Sequence, residues 1–103
     1  FIASGAGTLQ SFEGIVVTNP TGADRTVTVD LHRSTGAGTF ATVLSTNIEI
    51  VDGTANLTPV VAVISTTTVA DGDIFKIIVT VAGSANNQAE GLLVTLIWDE
   101  QPI

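Results

Sequence analysis

The sequence is a succession of short segments rich in valine, threonine and isoleucine, separated by clusters of glycine, aspartate, asparagine and proline. β-Branched residues pack well on a pleated sheet and lose side-chain freedom in a helix, so these segments favour strands. No stretch of useful length repeats its apolar residues at the helical period. We therefore expect an all-β chain, with turns at residues 19–22, 35–38, 52–53, 71–73 and 83–87.

The segments between these turns predict strands of the length found in a β-sandwich or barrel. Alternation is clearest in the second, where Val27, Val29 and Leu31 are expected to point inward. Its outward residues would be Thr26, Thr28, Asp30 and His32. The predicted strands span residues 9–18, 25–33, 39–44, 47–51, 56–57, 60–65, 74–81 and 90–99.

The two late strands are apolar on both faces. In residues 74–81, one face consists of Phe75, Ile77, Val79 and Val81, and Ile78 lies on the other face with Lys76 and Thr80. In residues 90–99, one face consists of Leu92, Val94, Leu96 and Trp98, and the other of Leu93, Thr95, Ile97 and Asp99. This pattern predicts central strands covered on two sides, one of them by a partner subunit. The candidate interface residues are Ile78, Leu93, Ile97 and Trp98.

The length of 103 residues fits one domain, residues 1–103. About eight strands in one domain predict an antiparallel two-sheet sandwich with jelly-roll topology. An immunoglobulin-like sandwich is the alternative, although the Cys…Trp…Cys set of that fold is missing. Because the chain has no cysteine, a disulfide framework and a thiolate metal site are excluded.

Charge is sparse and one-sided. Ten acidic residues face only Arg25, Arg33 and Lys76, which gives a net charge of −7. Three scattered cations cannot neutralise a row of phosphates, so nucleic acid and anionic membranes are not expected partners. Charged residues make up 13% of the chain, against about 25% in an average soluble protein. We interpret this as an assembled protein, and a monomer with a threonine-rich surface remains the alternative.

Asp71-Gly72-Asp73 is the first candidate for a chemical site. Paired carboxylates can share a calcium ion, but calcium takes six to eight oxygen ligands and residues 74–77 supply none. The favoured interpretation is a turn in which Gly72 adopts a positive φ and the aspartates bond to the local backbone. Calcium bound by Asp71 and Asp73 with help from another loop stays open.

The remaining motifs point to structure rather than catalysis. His32 is the only histidine and is expected on the outer face, and no serine lies in a Gly-x-Ser-x-Gly elbow. The glycine-rich segment 34–39 lacks the Gly-Lys-[Ser/Thr] of a phosphate-binding loop and is expected to be a hairpin loop. Trp98 and four phenylalanines are the only aromatic residues, which is few for the aromatic platforms of a sugar-binding groove. Trp98 is therefore expected in the core or an interface. We predict no catalytic residues, no metal site and no cofactor.

Two segments carry a family resemblance: RTVTVDLHRS (residues 25–34) and VADGDIFKIIVTVAGSANNQAEGLLVTLIWDE (residues 69–100). Over residues 12–100 the chain resembles small jelly-roll structural proteins of bacteriophage virions, of the decoration or head-fibre type. The resemblance implies a non-enzymatic protein, often trimeric, that sits on or between capsid subunits. It brings no catalytic residues with it.

We therefore expect a virion structural protein at the capsid surface, a decoration (cement) or head-fibre subunit that associates with itself, as a trimer, and with other virion proteins. One alternative is an extracellular filament or tube subunit, in which residues 1–8 complete the sandwich of the next copy. A carbohydrate-binding module that uses Trp98 is another alternative.

Overall fold

The computed structural model describes residues 1–36 and 38–101 and contains strands but no helix within them. Ala37, in the expected 34–39 loop, and the last two residues lie outside the described residues. The strands are β1 (Gly7–Ile15), β2 (Thr26–Ser34), β3 (Ala41–Thr42), β4 (Leu44–Thr46), β5 (Ile48–Val51), β6 (Val60–Val61), β7 (Val63–Ile64), β8 (Thr68–Val69), β9 (Ile74–Ala82) and β10 (Leu93–Glu100).

Within the described residues, eight of the ten strands form two antiparallel sheets that pack face to face as a β-sandwich. In the β1 sheet, β1 lies between β10 on one side and both β6 and β8 on the other. In the β2 sheet, β2 lies between β9 on one side and both β5 and β3 on the other. The short strands β4 and β7 pair separately. The all-β class and the sandwich expected from the sequence are confirmed at this level.

The core lies between the two central strands. Val27, Val29 and Leu31 of β2 point inward as predicted and are at most 5% exposed. They pack with Phe12 of β1 in one buried cluster. Each fully buried aliphatic or phenylalanine side chain contributes about 1.5–3 kcal/mol, so the cluster is the main source of stability. The largest fully buried side chains are Phe12, Phe75, Leu31, Ile48, Ile50, Val16, Val29, Val43 and Val69.

A bulge interrupts the alternation of inward and outward side chains in β1. The register with β10 shifts between Leu9 and Ser11, so Gln10 is the extra residue. Leu9 and Phe12 are therefore both buried although they are three positions apart. A uniform period of two would have placed one of them in solvent.

Several strand boundaries differ from the prediction. The expected strand 39–44 is divided between β3 and β4, and 60–65 between β6 and β7, while β8 was not predicted. Residues 56–57 form a turn rather than a strand, and Leu57 there has φ +54°. The last strand begins at Leu93, because residues 83–92 cross from one sheet to the other. Short strands at the sandwich edge follow the tertiary packing more than the local pattern.

The prediction that the two late strands are central is wrong. In the described part of the chain, β9 pairs with β2 and with a short N-terminal segment, and β10 pairs with β1. Both are therefore edge strands. Their apolar second faces, from which the central position was inferred, do not reflect burial within one chain.

Candidate interaction surface

The Asp71-Gly72-Asp73 turn has the backbone geometry expected of it. Gly72 has φ +86°, which glycine adopts without strain. The Asp73 carboxylate is only 3% exposed and accepts a 2.9 Å hydrogen bond from the Ala70 amide. The Arg33 guanidinium lies 3.8 Å from the same oxygen and balances its charge. Asp71 is exposed. The buried Asp73 carboxylate therefore fixes the backbone of the turn that leads into β9.

A calcium site at this turn finds little support. Within residues 1–36 and 38–101, no three histidine, cysteine, aspartate or glutamate side chains lie close enough to hold a metal ion. Oδ2 of Asp73 already accepts the Ala70 hydrogen bond and lies 3.8 Å from the Arg33 guanidinium. The calcium alternative at Asp71 and Asp73 stays untested.

His32 belongs to a small polar cluster on the outer face of the β2 sheet. Its Nε2 lies 3.0 Å from Asp30 Oδ2, and the Thr42 hydroxyl donates a 2.6 Å hydrogen bond to Asp30 Oδ1. The hydroxyl thus contacts the aspartate and not the imidazole. A hydrolytic triad needs the nucleophile on the base, so this cluster lacks that contact. It ties β2 to β3 instead.

Trp98 lies against the core rather than forming an exposed platform. It is opposite Leu9 in the register of β1 and β10 and is partly buried against the core cluster. Its ring lies over Gly7, where an added Cβ would come within 2.8 Å of Cε3. A sugar-binding tryptophan needs an accessible ring face, so this packing gives the carbohydrate alternative no support.

The concave features are small. A cavity of about 260 Å³ is lined by Arg33 and by threonines of the 35–42 segment. Ligand pockets usually measure about 300–1,000 Å³. The Arg33 guanidinium there donates a 2.7 Å hydrogen bond to the Thr68 carbonyl. A second cavity, of about 180 Å³, lies on the outer face of the β1 sheet beside Leu57 and Leu93.

The largest anomaly of the surface is a row of apolar side chains on β9. Ile77, Val79 and Val81, which we call the β9 row, are 44%, 47% and 58% exposed. They lie directly opposite Leu31, Val29 and Val27 of β2, so they belong to the inner face of the sheet. The β2 side chains opposite them are buried. The β9 row is exposed because the β1 sheet does not cover this edge of the sandwich. The alternation in the sequence placed these three residues on one face of the strand, as the register does, and did not predict their exposure.

A second apolar row lies on the outer face of β10. Leu93 and Ile97 are 58% and 50% exposed, and Leu93 is opposite the partly buried Ile15. We call Leu93 and Ile97 the β10 row. Ile78, the other candidate from the sequence, is partly buried on the outer face of β9. The fold therefore places Leu93 and Ile97 on one sheet and Ile78 on the other, and Trp98 against the core. Their role as interface residues stays a prediction.

Charge is almost absent from the part of β9 that follows Phe75. Residues 76–82 contain Lys76 and no acidic residue, in a chain with ten acids. The Lys76 ammonium lies 4.2 Å from the centroid of the Phe40 ring, a cation–π contact that holds it over its own chain. The stretch beside it is an uncharged, β-branched sheet edge.

No protein-family model, curated protein or solved structure matches this chain. Within the described residues, no helix has the length and apolarity that crossing a membrane requires.

Proposed function

We propose that this chain is a non-enzymatic structural protein that associates with itself and with other subunits through its exposed apolar strands. The β9 row is the observation on which the proposal rests. Three inward-facing side chains of a sandwich are about half exposed in the single chain, and a neighbouring chain that packs on them would bury them. Exposed, contiguous apolar surface on a small domain is typical of an interaction site.

The specific proposal is a bacteriophage virion subunit at the capsid surface, of the decoration, cement or head-fibre type. It is supported by the sequence resemblance over residues 12–100 and by the low content of charged residues. The trimer is part of what the resemblance implies. Jelly-roll topology belongs to the same proposal and is favoured by the nested antiparallel pairs β1 with β10, β2 with β9 and β4 with β7.

Sedimentation velocity over a hundredfold concentration range tests self-association, and negative-stain images of the same samples distinguish closed oligomers from fibres. We expect a species larger than the monomer that dissociates on dilution. A single monomeric species at every concentration, with turnover of a small molecule, would refute the proposal.

A strand-exchanged filament is the second candidate, and the N-terminal segment favours it. Ala3 donates a 2.8 Å hydrogen bond to the Asp73 carbonyl, and Ile2 bridges to Ile74, so residues 1–3 already extend the edge of β9. In a filament the same contacts would come from the next copy. Deletion of residues 1–3 would then abolish polymers, whereas a capsid-bound oligomer would persist.

A further inference from the structure

The backbone of β9 presents hydrogen-bonding groups away from β2. Phe75 donates a 2.8 Å hydrogen bond to the Phe1 carbonyl, and the Phe1 ammonium donates one of 2.8 Å to the Phe75 carbonyl. Both groups of Phe75 therefore point away from β2. Since this direction alternates along a strand, Ile77, Val79 and Val81 also point their N–H and C=O groups outward. No pairing to these groups occurs in the described part of the chain.

The edge that the described residues leave uncovered has two limits. Residues 1–3 pair with β9 as far as Phe75, and no other described residue pairs with β9 on this side. At the other end, Gly83 has φ +90°, a Cβ added there would collide with the Asp24 carbonyl, and the strand ends at Ala82. Within the described residues, the uncovered stretch is therefore 76–82, and Val79 is its midpoint.

We propose that a second copy of this chain pairs with this edge, β9 against β9, antiparallel and with its two-fold axis at Val79. In that register Val79 faces Val79 of the second copy, and Ile77 faces Val81 of the second copy. All three outward-pointing residues then form hydrogen-bonded pairs, each exchanging two hydrogen bonds. A register shifted by two residues would place Val81 opposite Phe75 or Ile77 opposite Gly83. Phe75 is already hydrogen-bonded to Phe1, and the chain turns out of the strand at Gly83.

The side chains are self-complementary in the same register. The two β9 rows meet on the inner face as three pairs of β-branched residues, which extends each core toward the other. On the outer face, Ile78 faces Thr80 of the second copy, and Lys76 faces Ala82 of the second copy. No like charges are opposed. The sequence of one strand therefore matches itself, which is the requirement of a two-fold interface.

Residues 76–82 of β9 have little of what normally protects an edge strand. Such strands carry proline, a bulge, charged side chains, above all lysine, or a cover. The register of β9 with β2 is continuous over nine residue pairs, from Ile74 to Ala82. Its one charged residue, Lys76, is held over Phe40. Because the two copies each carry −7, pairing at an acid-free strand keeps acidic side chains from lying directly against each other.

This inference rests on the proposed self-association and specifies its contact. A single strand edge buries less than the roughly 800 Å² per partner of a standard interface, so we expect a dimer that dissociates on dilution. The contact is two-fold, so it joins pairs of copies, or pairs of trimers where the resemblance holds. Added salt should strengthen it, since the two acidic chains otherwise repel.

Cysteine cross-linking tests the register in a chain that has no cysteine of its own. Hydrogen-bonded partners lie about 5.5 Å apart at Cα, within the range of a disulfide, so V79C should form a covalent dimer under mild oxidation. In the same register, Thr80 faces Ile78 of the second copy and lies two residues away from the second Thr80. T80C should therefore form no covalent dimer. V61C, on a different sheet, controls for random collision. A V79C dimer that forms no faster than the T80C and V61C dimers would overturn the inference.

A charge substitution separates this inference from the wider proposal. Val81 and Val61 are 58% and 57% exposed, so V81K and V61K are matched changes on different sheets. We expect V81K to weaken the dimer by about tenfold or more in sedimentation equilibrium, and V61K to leave it unchanged. Equal effects, in a protein that still associates, would reject β9 and leave the proposed function standing. A wild-type monomer at all concentrations would reject both.

Discussion

Gly7 is the position at which the fold leaves least room for a side chain. A Cβ there would collide with the Asp99 carbonyl and approach the Trp98 ring to 2.8 Å. Gly14, in the same strand, would place its Cβ at 3.4 Å from the Ile48 side chain, which is ordinary contact. The first glycine allows the tryptophan to lie on the backbone, and the second leaves space that a methyl group can fill.

The two glycines therefore predict opposite outcomes. Gly7→Ala should lower the free energy of unfolding by about 1–3 kcal/mol, because the carbonyl and the ring must move. Gly14→Ala should change it by less than about 1 kcal/mol, since the lost freedom of the unfolded chain offsets any crowding. Urea unfolding followed by Trp98 fluorescence measures both. Equal destabilisation by the two variants would contradict the packing described at Gly7.

Asp24 holds the loop that connects β9 to β10. Slight desolvation acts to raise the pKa of Asp24, but the hydrogen bond from the Ser84 amide and the neighbouring Arg25 guanidinium outweigh it, so the pKa is lowered from the ordinary 3.8. The Ser84 amide lies 3.3 Å from Asp24 Oδ2, and Arg25 Nη1 lies 2.6 Å from Oδ1. Arg25 also donates a 2.9 Å hydrogen bond to the Asn86 carbonyl.

The lowered pKa gives this loop an acid dependence. A carboxylate with a depressed pKa stabilises the fold above its unfolded pKa, and the contribution is lost as pH falls through the folded value. The Ser84 amide resonance should therefore shift with a midpoint below 3.8. Asp24→Asn should abolish that titration. An NMR titration with a midpoint above 3.8 would show that the assigned direction is wrong.

At the scale of the element, β2 and β9 show how one face can be buried on one strand and exposed on the next. Val29 and Val79 are directly opposite each other on the inner face, and they are 0% and 47% exposed. The difference arises from position in the sheet. The central strand is covered by the β1 sheet, and the edge strand extends past that cover.

This difference predicts unequal costs for the same substitution. Val29→Ala should lower the free energy of unfolding by roughly 2–3 kcal/mol, because it removes fully buried methyl groups and leaves a cavity. Val79→Ala should cost well under about 1 kcal/mol in the dilute monomer. Denaturant titrations at low protein concentration compare the two. If Val79→Ala is as costly as Val29→Ala under those conditions, the β9 row is buried within one chain.

At the scale of the whole molecule, the domain is elongated. Its radius of gyration is 14.9 Å, against about 13 Å for a compact chain of this length. Its extents are 47, 26 and 20 Å. A long, narrow sandwich has much edge relative to its core, which is consistent with two strands whose apolar rows stay half exposed.

Association should therefore raise the stability of the whole domain. Any partner that binds only the folded state adds stability by mass action. We expect the melting temperature to rise with protein concentration in differential scanning calorimetry, and V81K to remove most of that rise while V61K retains it. A melting temperature independent of concentration would favour the monomer with a threonine-rich surface.

The sequence by itself determined the local features. Alternation identified the inward face of β2, the aspartate–glycine pattern located the turn before β9, and composition predicted an all-β chain of low charge. These follow from propensities and periods that each segment carries alone. The tertiary structure decided which strands lie at the edges, where β1 bulges and why the β9 row is exposed. Those outcomes depend on which strand lies beside which and how far one sheet covers the other, and no single segment encodes either.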